Sequence, residues 1–185
     1  MNRSRILTAT LLLCAMGSAP MAQDAATGAQ SATTTSAQSN ASAKEFVEKA
    51  GTSGLAEVEM GELGVQKAKN SQVKAFAKHM VEDHKKANQD LLTAIKGKGM
   101  QIPSSRTDTH KAMMEKFQQQ EAGKSFDRAY MAQMIEDHKA AVELFESAAD
   151  DDSLDINLRG YAKQTLPALR EHLQQAQTIE SKLID

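Results

Sequence analysis

Two histidines occupy equivalent positions of an internal repeat, and their residue type and spacing make them the first candidates for chemistry. The stretch Met80–Ala87 reads MVEDHKKA and returns further along the chain as MIEDHKAA at Met134–Ala141. Both copies have helical apolar spacing, which puts His84 and His138 on the apolar side of their helices. Imidazole is a common metal ligand and also an ordinary hydrogen-bonded core group. The repeat therefore predicts a polar site inside a helical bundle.

Two more polar residues fall on predicted core faces, one on the first helix and one on the last. Glu57 lies on a face otherwise built from small residues, and His172 lies on an apolar stripe. Glu57 precedes the turn at Asn70 by almost the same distance along the chain as His84 follows it. At about 1.5 Å per residue, both lie roughly 20 Å from that turn and are level with each other. The candidate metal site is therefore Glu57, His84, His138 and His172, one residue from each helix.

His172 fits this site less well than the other three residues. The stretch of chain from Leu154 to His172 is longer than the stretch from His138 to Ala149. This difference is a mismatch of about 10 Å at about 1.5 Å per residue. The residues level with His172 on the third helix are Asp127, Tyr130 and Met131. His172 therefore either joins the metal site or belongs to a separate hydrogen-bonded cluster.

The donor set of one carboxylate and three imidazoles predicts one transition metal ion. Oxygen and nitrogen donors without sulfur suit Zn, Fe, Mn, Cu or Ni, and they do not select among them. A di-iron centre fits poorly, because such sites need Glu on two helices and Glu-x-x-His on two others. The residues three positions before the histidines are instead Val81, Ile135 and Leu169.

The other acids and histidines near these positions are predicted to lie outside the metal site. Asp83 and Asp137 precede their histidines and lie about 100° round the helix from them. They are predicted to be hydrogen-bond partners of the ligands or surface residues. The side chains predicted to face solvent are Glu59, Glu62, His79 and His110.

Helical spacing and turn residues predict four long helices that position these side chains. The first three cover about residues 43–69, 72–96 and 125–149, and the fourth follows a cap at Ser153 and carries its core stripe to Leu183. A short helix is predicted over 108–121, in the long middle connection. Ser71 is predicted to cap the second helix. The face of Glu57 also carries Gly54, Gly61 and Gly64. Since each glycine costs a helix roughly 1 kcal/mol, they indicate that a neighbouring helix approaches closely. The pattern predicts an all-α, ferritin-like four-helix bundle.

Residues 1–22 have the features of a signal peptide. Asn2–Arg5 is basic, and Ile6–Met16 is an apolar run too short for a bilayer, which needs roughly 20 residues. The cut is predicted after Ala22, a small residue of the kind that signal peptidase requires. Cys14 raises the alternative of a lipid anchor, but Leu13 is bulky where lipoprotein signals carry a small residue. We therefore expect export and a mature chain without cysteine.

Composition bounds the rest of the chain. Residues 23–42 are rich in Ala, Ser, Thr and Gln, cannot bury a core, and are predicted to be a disordered tether. Residues 43–185 remain as one domain.

Without the signal peptide the chain has 20 basic and 24 acidic residues, a net charge of −4, which gives no basic face for nucleic acid. No transmembrane segment is expected in the mature chain. The predicted location is the periplasm or the extracellular space, with association to the outer membrane left open.

An ordered set of motifs runs along the predicted helices. They are Phe46 with Glu57, Val73–Ala77, Met80–His84, Phe126–Tyr130, and Leu166-Pro167 followed by His172. Together they resemble a bacterial exported family called domain of unknown function 4142, over about residues 43–183. The resemblance implies a ferritin-like bundle at the outer membrane or in the periplasm, with no established activity. It implies no catalytic residues.

Three functional hypotheses follow from these residues. The first is an exported bundle that binds a metal ion or small ligand in its core through the four candidate residues. The alternative is a structural or stress-associated interaction domain of the periplasm without metal, in which buried polar groups only fix the register of the helices. An enzyme is less favoured, because no nucleophile, phosphate loop or paired carboxylates accompany His84.

Overall fold

The structure, a computed structural model, describes residues 27–104 and 106–183, with side chains from residue 39 onward. The described part contains five helices and no strand. They are α1 (Thr27–Lys67), α2 (Ser71–Ala94), α3 (Asp108–Gln119), α4 (Lys124–Asp150) and α5 (Ile156–Leu183). The predicted signal peptide, residues 1–22, lies outside the described residues.

The five helices form a four-helix bundle with a short helix in its long middle connection, which confirms the predicted all-α fold. The short turn after Lys67 makes α1 and α2 an antiparallel hairpin, and α4 and α5 form the second hairpin. Helix α2 packs on α5 and α1 packs on α4, while α3 touches α1. None of the described helices is long and apolar enough to cross a membrane.

Helix α1 begins earlier than the sequence predicted. Residues 27–42 are helical, whereas their composition predicted a disordered tether. That prediction considered only the apolar surface available for burial. Once the packed segment around Phe46 and Val47 has formed a helix, each added residue gains a hydrogen bond without a new nucleation cost. The helix therefore extends beyond the core that it helps to build, although threonine and serine, which are weak helix formers, are common in this segment.

The turn between α1 and α2 is held by side chains on backbone atoms. Asn70, not Ser71, caps α2, because its Oδ1 accepts from the amide of Gln72 at 2.8 Å and α2 begins one residue earlier than predicted. The buried carboxylate of Asp127, in the first turn of α4, accepts from the amides of Lys69 at 3.1 Å and Asn70 at 2.7 Å. Asp127 therefore ties the second hairpin to the turn of the first.

The glycines of α1 allow the close helix approach that the sequence predicted. A Cβ added at Gly61 would lie 2.7 Å from Cγ2 of Val81 and 3.1 Å from the carbonyl oxygen of Ala77. At Gly64 an added Cβ would lie 2.8 Å from the Cβ of Ala77 and 2.7 Å from the ring of Tyr130. A larger residue at these positions would force the backbones of α1 and α2 apart.

The core consists of two apolar clusters separated by a layer of buried polar side chains. One cluster lies towards the α1–α2 turn and includes Met80, Tyr130 and Met134. The other lies towards the opposite end and includes Leu91 and Phe145. On each long helix one buried ionisable residue lies between the residues of the two clusters, and on α1 the buried Thr52 lies there as well. The ionisable residues are Glu57, His84, His138 and His172, the four predicted site residues.

Candidate metal centre

Three histidines from three helices meet in this polar layer. His84 of α2, His138 of α4 and His172 of α5 are 7%, 1% and 2% exposed. Their ring centroids are 5.6 Å apart for His84 and His138, 5.5 Å for His84 and His172, and 5.4 Å for His138 and His172. One ring nitrogen of each lies within 4.8 Å of the other two. The three imidazoles thus form a compact, nearly equilateral group.

His172 joins this group despite the mismatch in height that the sequence indicated. Helix α4 ends at Asp150 and α5 begins at Ile156, so the two histidines differ in height by about 6 Å rather than about 10 Å. The Cα–Cβ bonds of a helix tilt towards its N-terminus. His138 therefore leans away from the connection and His172 leans towards it, which brings the rings level. Asp127, suggested as a partner of His172, binds the α1–α2 turn instead.

Hydrogen bonds fix the tautomers of two of the three rings. Nδ1 of His138 lies 2.8 Å from the carbonyl oxygen of Met134, and Nε2 of His172 lies 2.9 Å from Oδ2 of Asp83. Both oxygens only accept, so these two nitrogens carry the hydrogen. The other nitrogen of each neutral ring then has a free lone pair, as a metal ligand requires.

The nitrogens left with free lone pairs have no hydrogen-bond partner among the described residues. They are Nε2 of His138 and Nδ1 of His172, and Nε2 of His84 is buried without a partner in the same way. A buried polar atom without a partner costs about 1–3 kcal/mol. A cation bound by these nitrogens would give each of them a partner.

Burial also keeps these rings neutral. It lowers the pKa of His138 from 6.5 to about 4, with the neighbouring His172 adding to the effect. The pKa of His84 is held well below its usual value, first by burial and then by the two other imidazoles. Burial likewise lowers the pKa of His172, although its hydrogen bond to Asp83 opposes this. At neutral pH the three rings therefore present lone pairs rather than charges.

Glu57 lies in the same layer, but its carboxylate is not part of the compact nitrogen group. Glu57 is 6% exposed, and its Oε2 has no partner within the described structure. It lines a cavity of about 20 Å³ together with His84 and His138, which is enough space for one water molecule. Burial, followed by the nearby charge of Asp137, raises the pKa of Glu57 well above its usual value.

Asp83 and Asp137 lie beside the layer, on opposite sides of it. Asp83 is half-exposed and accepts from His172, so it is the hydrogen-bond partner that its position in the repeat predicted. Asp137 is half-buried and accepts from Nε2 of Gln133 at 3.0 Å, and burial raises its pKa. It borders a cleft of about 920 Å³ between α1 and α4, which Glu57 and His110 also line.

Most of the side chains predicted to face solvent are only partly exposed, and several form ion pairs or hydrogen bonds. Nε2 of His79 lies 3.1 Å from Oδ2 of Asp83, and Glu59 forms a half-exposed ion pair with Arg106 at 2.8 Å. Only Glu62 is fully on the surface, paired with Lys85 at 2.9 Å. Sequence reasoning missed the group of His79, Asp83 and His172. The i, i+4 spacing of His79 and Asp83 on one helix was the available signal.

The geometry can hold a single metal ion through three nitrogens, with space beside it for one small further ligand. Neutral imidazoles suit zinc, copper, iron, manganese and nickel, and no thiolate takes part.

Comparisons with known proteins give a family for this chain. A search of curated proteins and a search of solved structures gave no match. A family model matches residues 28–179, which covers the whole bundle from the first described turn of α1 to the last turns of α5. The chain belongs to the family of that model, the domain of unknown function DUF4142.

Proposed function

We propose that this protein binds one transition metal ion in the centre of its bundle through His84, His138 and His172. The observation that carries the proposal is the convergence of three buried ring nitrogens, one from each histidine, within 4.8 Å of one another. Two of the rings are anchored through one nitrogen, by a carbonyl and by a carboxylate, and this leaves their second nitrogen free for a ligand. Such anchoring orients imidazole ligands and strengthens their basicity.

The unpartnered atoms favour a ligand-binding role over a purely structural one. A polar layer that only fixed helix register would be expected to satisfy its own hydrogen bonds. Here three imidazole nitrogens and one oxygen of Glu57 are buried without partners among the described side chains. A layer in this state destabilises the metal-free bundle, and a bound cation removes most of that cost.

In this proposal Glu57 balances charge and does not coordinate the metal directly. A divalent ion bound by three neutral imidazoles keeps its full charge, which favours release of the proton from the buried Glu57, and the resulting carboxylate offsets that charge. The cavity of about 20 Å³ between Glu57 and two of the histidines is large enough for one water molecule. A water there would be a fourth ligand to the metal and a hydrogen-bond donor to Glu57.

We also propose that the protein works outside the cytoplasm. The signal-peptide features of residues 1–22 support export to the periplasm or the extracellular space. Removal of that segment would leave a chain without cysteine, so the site uses only nitrogen and oxygen donors. Such donors are not lost by oxidation in an oxidising compartment.

The test is metal content followed by metal titration. Protein purified from the exported fraction is analysed for Zn, Fe, Mn, Cu and Ni by mass spectrometry, then stripped with a chelator and titrated with each ion. We expect one equivalent of one metal. An ion at about 100 times its dissociation constant should stabilise the fold by about 2.7 kcal/mol, which raises Tm by about 5–10 °C.

Three variants locate the site. His138→Gln should weaken binding at least about tenfold, and Glu57→Gln should weaken it less, because Glu57 is not a ligand. The matched control is His110→Gln, which removes an imidazole outside the layer and should leave binding unchanged. Less than about a tenth of an equivalent of any metal, with no rise in Tm on addition, would refute the proposal and favour a layer that only sets helix register.

A further inference from the structure

His172 belongs to a second group of candidate metal ligands on the outer side of the bundle. Nε2 of His172 and Nε2 of His79 lie 2.9 Å and 3.1 Å from the same oxygen, Oδ2 of Asp83. Ligand atoms of these three residues all lie within 4.8 Å of one another. Two imidazoles and a carboxylate are a donor set that divalent transition metals accept.

This outer group reaches solvent, whereas the inner group does not. The side chains of His79 and Asp83 are 44% and 38% exposed, compared with 2% for that of His172. His79 also lines an open surface cleft of about 590 Å³ between α2 and α5, together with Phe76. The ring of Phe76 meets the ring of His172 edge-on, with centroids 6.4 Å apart. The outer group is therefore a place where an ion from solvent can meet a nitrogen of the buried layer.

The two nitrogens of His172 have different surroundings, because Nε2 lies beside Asp83 and Nδ1 is buried without a described partner. An ion in the inner group takes the lone pair of Nδ1 of His172, which leaves the hydrogen on Nε2 to be donated to Asp83. An ion in the outer group takes Nε2 and leaves the hydrogen on Nδ1. A neutral imidazole has only one free lone pair at a time, so the two groups cannot both be filled through the same neutral ring.

We propose that His79, Asp83 and His172 form an uptake site, where a divalent metal ion is first captured before it passes to His84, His138 and His172. This inference rests on the proposed function, because it assigns a route to the same inner site. Transfer breaks the bond from the ion to Nε2 of His172, moves the ring hydrogen from Nδ1 to Nε2, and forms a bond from the ion to Nδ1. His172 is therefore a ligand in both groups, through a different nitrogen in each. The outer group is then a transient binding site and does not hold a second ion permanently.

The test measures the rate of metal transfer as well as the final affinity. Chelator-stripped protein is mixed with Zn²⁺ in a stopped-flow instrument, and a chromogenic chelator reports the free ion during uptake and during release. We expect His79→Gln to slow uptake and release equally, by about tenfold, as for a barrier raised by about 1.4 kcal/mol. The dissociation constant and the one-equivalent stoichiometry should stay as in the wild type, because His79 does not touch the ion in its final position.

Two further variants sharpen the result. His110→Gln is the matched control on another face, and it should leave both rates unchanged. Asp83→Asn should slow uptake and also weaken the final affinity, since it removes the acceptor that orients His172.

The outcomes separate this inference from the proposed function. If the wild type binds no metal, the proposed function is refuted and this inference with it. If the wild type binds one equivalent and His79→Gln exchanges it at the wild-type rate, only the uptake site is refuted. Two equivalents bound to the wild type, with the second lost in His79→Gln, would also refute it, because the outer group would then be a permanent site.

Discussion

The buried neutral state of His138 predicts a specific dependence of stability on pH in the metal-free protein. The folded chain holds the pKa of this imidazole at about 4, against 6.5 for the free side chain. As the pH falls from about 6.5 to 4, the unfolded chain takes up a proton on His138 and the folded chain does not. The free energy of unfolding therefore decreases over this range. At about 1.4 kcal/mol for each pH unit, His138 alone removes roughly 3 kcal/mol by pH 4.

The variant His138→Gln isolates this contribution. Glutamine keeps a polar side chain that can donate to the carbonyl of Met134, but it does not titrate. Comparison with the wild type is needed because other buried groups act as well. The lowered pKa values of His84 and His172 contribute with the same sign. The raised pKa values of Glu57 and Asp137 contribute with the opposite sign, since their folded forms keep protons that the unfolded chain releases as the pH rises.

The assay is urea unfolding of chelator-stripped protein followed by circular dichroism at 222 nm, at pH 7, 6, 5 and 4. We expect the difference in unfolding free energy between wild type and His138→Gln to change by roughly 3 kcal/mol between pH 7 and pH 4. His110→Gln serves as the control, because it removes an imidazole outside the buried layer. A difference between wild type and His138→Gln that stays constant across the four pH values would refute the argument that His138 is buried as a neutral base.

Two further predictions concern stability alone, and thermal or urea unfolding measures both. Asp127→Ala leaves two amides of the α1–α2 turn without their acceptor and should lower the free energy of unfolding by about 1–3 kcal/mol. The control Asp108→Ala changes a fully exposed side chain and should lower it little. Equal losses in the two variants would contradict the tie between the hairpins. Gly64→Ala should destabilise by about 1–3 kcal/mol, because its Cβ would lie 2.7 Å from the ring of Tyr130. Gly160→Ala, on the exposed face of α5 with no described atom within 4 Å of the added Cβ, should instead stabilise by up to about 1 kcal/mol, and a gain at Gly64 would contradict the close approach of α1 and α2.

Helical periodicity was enough to predict which residues form the polar layer. The repeat and the three-to-four-residue step put Glu57, His84, His138 and His172 on core faces, and all four are buried. The same step identified the glycine face of α1. Both results depend only on the phase of a regular helix, which the sequence carries directly.

The arrangement within the layer depended on quantities that periodicity does not carry. The position of the His172 ring along the bundle axis depends on the tilt of its Cα–Cβ bond and on the residue at which α5 begins. The carboxylate of Glu57 stays outside the nitrogen group, and it lines a cavity of about 20 Å³ with two of the histidines. His79 lies off the core stripe of its own helix, but the approach of α5 brings His172 next to it. Each of these details depends on how neighbouring helices pack, so the sequence of a single helix does not predict it.

The carboxylate of Asp127 also protects two backbone amides from hydrogen exchange. The amides of Lys69 and Asn70 belong to the first hairpin, yet the oxygens that they bind belong to the second. Fraying of α1 or α2 alone leaves those two bonds in place, because Asp127 sits buried at the start of α4. Separation of the hairpins at this end breaks both bonds, and so does unfolding of either hairpin. The exchange rates of the two hydrogens therefore set an upper limit on how often the hairpins separate at this end.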